Sequence, residues 1–295
     1  LALALNTAAY GAVHVSQTDN SRYEERGAVQ YQHGVERAAA GLIAANAGNE
    51  TEYEALERDL RADLERWDEL SKREHAVDEA VTSASIASVA FESRIVQDER
   101  GTFTDRSDRS SWTVVENTSD LRSFELRVHD EELSTADDCA TADCFALEIE
   151  GDDARVWRLV ANTTSEGEGV AITVESPDGS TETCETEESA ASINVTAGRF
   201  DDGDEGECSF EPPPDATDPP YTIRYANADR VTGTYDLAVS GRIVEGTVAE
   251  DDRYGTTGSP PIEPAIATAT VAIEYRSPDL TYRTEVQLDG GDVDA

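Results

Sequence analysis

Apolar residues recur with a helical period over the first quarter of the chain. The opening LALALNTAAYGAVHV carries no charged residue. A heptad-like stripe follows it, which is typical of an amphipathic helix. The apolar residues of that stripe are Ala28, Tyr31, Val35, Ala38, Leu42 and Ala45. We therefore predict one helix over residues 1 to about 47.

A second helix is predicted after the Ala-Gly-Asn break at 47–49. Thr51 and Glu54 have the spacing of a capping box, in which both side chains satisfy free backbone amides at a helix start. The apolar face that follows consists of Tyr53, Leu56, Leu60, Leu64, Trp67 and Leu70. Two amphipathic helices joined by a short turn indicate a helical hairpin, which we expect to end near residues 73–77.

From about residue 83 the apolar period changes to two, which is the period of β-strands. The predicted strands are 86–96, 112–115, 124–128, 145–149, 155–160, 170–174, 191–196, 221–226, 232–244, 265–276 and 280–288. Short strands rich in Val, Thr and Tyr favour an all-β sandwich. The predicted fold is therefore α+β, with a helical region at 1–80 and a sandwich-like domain at 81–295.

The charge balance restricts the setting and the partners. The chain holds 63 acidic and 23 basic residues, for a net charge of −40, and Lys72 is its single lysine. An acidic surface stays soluble in strong salt, which also screens its self-repulsion. Aromatic residues within patterned runs argue against a disordered acidic tail. These features indicate a folded protein of a halophilic archaeon, and they make nucleic acid a poor partner.

The four cysteines fall into two local pairs. We predict disulfides between Cys139 and Cys144 and between Cys184 and Cys208, although four cysteines permit three connectivities. Zinc would need closer cysteine or histidine spacings than these. Disulfides form in oxidising compartments, so we predict an extracellular location.

Four N-x-S/T sequons agree with export, since this tripeptide accepts N-linked glycans in exported proteins. They begin at Asn49, Asn117, Asn162 and Asn194. Each alone is a weak signal, but paired cysteines occur in the same chain. The sequence therefore predicts an exported glycoprotein.

Motifs that carry catalysis are missing from the sequence. It contains no P-loop, HExxH, GxSxG or CxxC pattern. Its histidines, His14, His33, His75 and His129, are scattered, and only His129 lies in the predicted β-region. We predict that the protein is not an enzyme and uses no cofactor.

One acidic run offers oxygen ligands of the kind that calcium prefers. Its candidate ligands are Asp201, Asp202, Asp204 and Glu205. The run lacks the alternate-residue spacing of an EF-hand loop, and acidic runs in so acidic a chain are usually solvated loops. Calcium is therefore the weaker interpretation, and a solvated loop is the stronger one.

Three stretches carry a resemblance to a known family. Residues 93–98 (SRIVQD), the pair Cys144-Phe145 and residues 275–282 (YRSPDLTY) resemble a haloarchaeal family of type IV pilin-like, membrane-anchored surface proteins. The resemblance implies an apolar helix that anchors the precursor in the membrane and then packs into a filament core. It also implies other copies of the chain, and other pilin-like subunits, as partners.

The functional hypothesis is a structural subunit of an extracellular pilus-like filament. The residues that would carry helix-to-helix assembly are Leu1, Leu3, Leu5, Tyr10, Val13 and Val15. The opening is shorter than the roughly 20 residues of a membrane span, so we expect further apolar sequence upstream. The alternatives are a monomeric, membrane-anchored binding or adhesion module, and an opening helix that packs on its own domain.

Transfer from molar to millimolar salt is expected to loosen the β-domain, because the excess negative charges then repel one another without screening. Circular dichroism and tryptophan emission across a salt titration measure this loss of structure. A melting temperature that does not change with salt would contradict the halophilic interpretation.

Overall fold

The computed structural model describes residues 14–15, 21–46, 52–76, 79–135, 139, 144–164, 167–201, 207–243 and 261–290. The α-helices among these residues are α1 (Ser21–Asn46), α2 (Tyr53–His75) and the short α3 (Pro213–Ala216). The first strands are β1 (His14–Val15), β2 (Val81–Thr102), β3 (Trp112–Thr118), β4 (Leu121–His129), β5 (Phe145–Glu150), β6 (Val156–Thr163), β7 (Val170–Glu175) and β8 (Thr181–Thr186). The remaining strands are β9 (Ala190–Asn194), β10 (Arg199–Asp201), β11 (Glu207–Ser209), β12 (Tyr221–Ala226), β13 (Thr232–Ser240), β14 (Ile262–Arg276) and β15 (Leu280–Asp289).

The chain forms two compact units. The helical unit contains Leu1–Glu92 together with Pro264–Ala295, and the sandwich unit contains Ser93–Glu263. This division differs from the predicted boundary near residue 80, because the last two strands belong with the helices. The predicted pattern identified β14 and β15 as strands but could not show which elements they cover.

In the helical unit, α1 and α2 bury their apolar faces with strands in the order β1-β15-β14-β2. The buried residues of α1 are Ala28, Tyr31, Val35, Ala39 and Ile43. The predicted stripe continued instead through Ala38 and Leu42, which are only partly buried. A straight helix drifts away from a strict heptad by about 20° per seven residues, which explains the shift. Gly27 allows a close approach, because a Cβ there would lie 2.7 Å from the hydroxyl of Tyr275.

A buried carboxylate connects the elements of this unit. Asp68 of α2 is 4% exposed, and its Oδ1 accepts hydrogen bonds from the Tyr31 hydroxyl at 3.2 Å and from the Ala84 amide at 2.9 Å. Its Oδ2 lies 2.6 Å from the ammonium group of Lys72. Burial and the charge of Asp68 raise the pKa of Tyr31, which keeps the phenol neutral as the donor. The chain's single lysine therefore forms an ion pair with this buried carboxylate.

The sequence placed Leu70 on the apolar face of α2, where the structure has polar groups instead. Leu70 is 58% exposed, while Asp68 and Ser71 are buried and Trp67 packs at the margin. A pattern of apolar residues cannot identify a buried acid, because the burial of Asp68 depends on partners that lie on other elements.

The predicted α+β fold with a long N-terminal apolar helix is wrong. The described chain is mostly β-structure, α1 begins at Ser21, and His14 and Val15 form a strand that pairs antiparallel with Thr281 and Leu280. The sequence before α1 reads Thr18-Asp-Asn-Ser, residue types that favour helix starts over helix interiors. These residues were a signal for a helix start at this point.

The predicted sandwich is confirmed in the second unit. One sheet has the order β2-β13-β4-β9-β10-β11, and the other has the order β3-β12-β5-β6-β7-β8. Trp157 is fully buried in the core, where aromatic rings also pack edge to face. The ring of Phe103 lies 5.1 Å from that of Tyr235 and 5.5 Å from that of Phe145. Such contacts add to the free energy of burying these large rings.

Both predicted disulfides are present, and the described cysteines include no free thiol. Cys139–Cys144 closes a short loop before β5. Cys184–Cys208 joins β8 to β11, and these strands are the last in the order of their respective sheets. The second disulfide therefore ties the two sheets together at one edge of the sandwich.

The chain enters and leaves the sandwich unit at neighbouring places. The amide of Val96 in β2 donates a hydrogen bond of 3.4 Å to the carbonyl of Pro261, just before β14. The sandwich is thus an insertion between two parts of the helical unit, and a hydrogen bond joins the two ends of the inserted segment.

Replacing Asp68 with alanine is expected to destabilise the helical unit by about 2–4 kcal/mol, since the Tyr31 hydroxyl and the Ala84 amide lose their acceptor in a buried site. Chemical denaturation followed by circular dichroism measures the change. Glu69→Ala, at an exposed neighbour on the same helix, is the control and should change stability by less than about 0.5 kcal/mol. Equal effects of both substitutions would contradict the role of Asp68.

Removing Cys184–Cys208 by serine substitution is expected to cost about 3 kcal/mol of stability, because the bond closes a loop with a sequence separation of 24. Removing Cys139–Cys144, with a separation of 5, should cost less. Denaturation of the two double variants in the same molar salt compares them. Non-reducing peptide mapping should recover both pairs from the wild-type chain, and reduced cysteines throughout would contradict the extracellular assignment.

Candidate binding groove of the sandwich

A groove of about 630 Å³ lies on the outer face of the sheet that contains β2, β13, β4, β9 and β10. The strands alternate between the core and this face, as strand geometry requires. Leu126, Ile193 and Tyr235 are buried in the core. The side chains between them, such as those of Glu125 and Arg127, are exposed at the groove. The groove is consequently lined by polar and charged groups on a rigid apolar base.

Strand register arranges these groups in two rows across the sheet. The first row runs Asp236, Glu125, Asn194 and Arg199 over β13, β4, β9 and β10. The second row runs Thr234, Arg127, Ser192 and Asp201 over the same strands. Together the rows offer carboxylates, guanidinium groups, an amide and hydroxyls within one surface, which can donate and accept hydrogen bonds.

Two carboxylates oppose each other in the first row. Asp236 of β13 is the direct cross-strand partner of Glu125, and like charges in such positions destabilise a sheet. Arg94 forms an ion pair with Oδ2 of Asp236, and the Asn194 amide donates a hydrogen bond of 3.2 Å to Glu125. Oδ1 of Asp236 is buried and has no hydrogen-bond partner within the described part of the chain. The fold therefore leaves one oxygen of this carboxylate unsatisfied in a buried position.

On the outer face of the second sheet, cross-strand neighbours carry charges of opposite sign. Its central row runs Glu175, Arg158, Glu148 and Arg224, so that each charge faces one of opposite sign. Arg158 lies 3.4 Å from Glu148 and 3.6 Å from Glu175. Cross-strand pairs of opposite sign stabilise a sheet. Charge placement on this face therefore serves the fold, whereas the pair in the groove works against it.

His129, the histidine of the predicted β-region, ends β4 with Ala190 and Thr232 as its cross-strand partners. Its partial burial and the charges of Arg100 and Arg127 lower its pKa, so the imidazole is neutral near neutral pH. Thr232 carries a hydroxyl, but its buried Oγ1 makes no hydrogen bond to His129 or to any other group within the described part of the chain.

The structure places the three described sequons in different environments. Asn117 is exposed on β3, whereas Asn162 on β6 is 8% exposed. Asn194 lines the groove and is partly buried. Asn49 lies outside the described residues.

Other predicted site residues fall largely outside the description. Asp201 is exposed at the end of β10, while Asp202, Asp204 and Glu205 are not described. The described residues contain no cluster of His, Cys, Asp and Glu that could hold a metal ion. Of the predicted assembly residues, Val15 belongs to β1, and Leu1, Leu3, Leu5, Tyr10 and Val13 are not described.

The groove residues were not identified from the sequence as a site. Alternation in Phe124-Glu-Leu-Arg-Val128 and in Thr234-Tyr-Asp-Leu237 shows which side chains point outward. It cannot show that Glu125 and Asp236 face each other, because β4 and β13 are far apart in sequence.

Searches for similar proteins find no match among family descriptions, curated proteins or solved structures. The resemblance to pilin-like proteins therefore stays a prediction. The disulfides indicate an oxidising, extracellular or secreted environment. Among the described residues, no helix is both long enough and apolar enough to span a bilayer.

Proposed function

We propose that this chain is a non-enzymatic surface protein of a halophilic archaeon whose sandwich binds polar ligands through the groove. The observation that supports this function is the opposition of the Asp236 and Glu125 carboxylates across β13 and β4 in the groove. Residues that work against stability are expected at functional sites, where binding compensates their cost. The acidic composition of the chain supports the halophilic setting.

The ligand is expected to carry several hydroxyl or amino groups. The aromatic rings at the groove, those of Phe200 and Tyr235, are 0% and 2% exposed because they belong to the core. Recognition would thus rest on hydrogen bonds to the exposed side chains of Glu125 and Arg127. Polar groups placed on a rigid scaffold fix the orientation of such a ligand.

Attachment to the cell is proposed to use the uncharged opening segment, in line with the resemblance to membrane-anchored surface proteins. A filament subunit is the other candidate. The filament hypothesis was based on a predicted continuous helix from residue 1 to about 47. The helix in the structure begins at Ser21. Negative-stain microscopy of cell-surface material separates the two, since regular filaments that contain the chain would favour the filament.

The binding test uses purified wild-type chain and cell-envelope fragments of a halophilic archaeon in molar salt, with the bound fraction measured by sedimentation. Glu125→Gln keeps an oxygen that can accept the hydrogen bond of Asn194 but removes the charge. We expect it to weaken binding at least about tenfold, the equivalent of 1.4 kcal/mol. The same substitution should stabilise the fold by about 0.2–1 kcal/mol, because the repulsion with Asp236 is relieved.

The matched control is Glu148→Gln on the outer face of the other sheet. It removes a charge that lies between two arginines, so it should lower stability and leave binding unchanged. Equal binding by both variants, or an absence of binding by the wild-type chain, would contradict the proposed function of the groove.

A further inference from the structure

Strand β3 contains an irregularity at one of the sequons. Tyr221 of β12 pairs with Thr118, and Ile223 pairs with Val115, so Glu116 and Asn117 together face the single residue between them on β12. This two-against-one arrangement is a β-bulge. Asn117 has a φ of 55°, in the left-handed region that asparagine tolerates better than most residues. An asparagine therefore suits the left-handed backbone conformation that the bulge has at this position.

The side chain of Asn117 is available to an enzyme. It is exposed, and within the described residues its amide makes no hydrogen bond. Ser119, which supplies the hydroxyl of the Asn-Thr-Ser sequon, is also exposed. The hydroxyl of Thr118, which the sequon does not require, is directed instead to the carbonyls of Asp120 and Ser240.

The other two described sequons differ in these properties. Asn162 is 8% exposed, and its amide donates a 2.8 Å hydrogen bond to the carbonyl of Thr163. The amide oxygen of Asn194 accepts hydrogen bonds from the Thr196 hydroxyl at 3.1 Å and the Ala197 amide at 2.9 Å, while its nitrogen donates to Glu125. Thr196, the hydroxyl residue of that sequon, is therefore also engaged. A sugar attached to either Nδ2 would compete with the hydrogen bond that this nitrogen already donates.

We propose that Asn117 is the N-linked glycan attachment site among the three described sequons. The donor is an oligosaccharide linked to a polyprenyl phosphate, supplied by a membrane transferase outside the cytoplasm. The Asn117 Nδ2 forms a bond to the anomeric carbon of the first sugar as the bond from that carbon to the phosphate oxygen breaks. The amide loses one proton to a base of the transferase, and the polyprenyl phosphate leaves.

The test is glycopeptide mass spectrometry of the full chain exported by a halophilic archaeal host. The peptide that contains Asn117 is expected to be heavier by at least one hexose, and the peptides with Asn162 and Asn194 are expected unmodified. Asn117→Asp, which keeps a residue suited to the left-handed backbone, and Ser119→Ala should each abolish the added mass. Ser119→Thr should preserve it.

An unmodified Asn117 in exported, disulfide-bonded chain would overturn the proposal, as would modification of Asn162 or Asn194. Ser119→Ala retains the asparagine, so its outcome remains informative if Asn117→Asp does not fold.

Discussion

The helical unit depends on one constraint, which is that the apolar faces of α1 and α2 need a sheet to cover them. A contact between two helices buries a narrow seam, and the wider apolar faces of α1 and α2 also pack against strand residues. The chain supplies the sheet from residues on both sides of the sandwich, through the first part of β2 and through β14 and β15. Asp68 then connects α2 to Tyr31 on α1 and to Ala84 on β2. Because this unit contains both terminal parts of the chain, the sandwich is necessarily an insertion.

Charge is used differently on the two outer faces of the sandwich. One sheet arranges Glu175, Arg158, Glu148 and Arg224 as an alternating row, and the other sets Asp236 against Glu125. With so large an excess of acid, adjacent carboxylates are a general hazard for this chain. The regular alternation on the first face shows that the fold can avoid the hazard. The opposed carboxylates of Asp236 and Glu125 are therefore the arrangement that stability alone does not explain.

Local features were predictable from the sequence, and long-range ones were not. The period of two correctly identified the sandwich, and close spacing correctly paired the cysteines. The predicted continuous helix from residue 1 to about 47 was wrong because the lack of charge in the opening outweighed the residues Thr18-Asp-Asn, whose types favour helix starts. The groove and the placement of β14 and β15 depend on which strands become neighbours. That choice is made by packing between residues far apart in sequence, which no local period records.

The adjacency of Val96 and Pro261 has a consequence for the history of the molecule. A domain whose two ends lie side by side can be gained, lost or exchanged as a block, because a short turn can replace it without separating the strands on either side. The helical unit can thus persist in a lineage while the inserted domain varies. A search for relatives of this chain should therefore compare residues 21–92 and 264–289 together, as one discontinuous domain, and leave out the inserted residues between them.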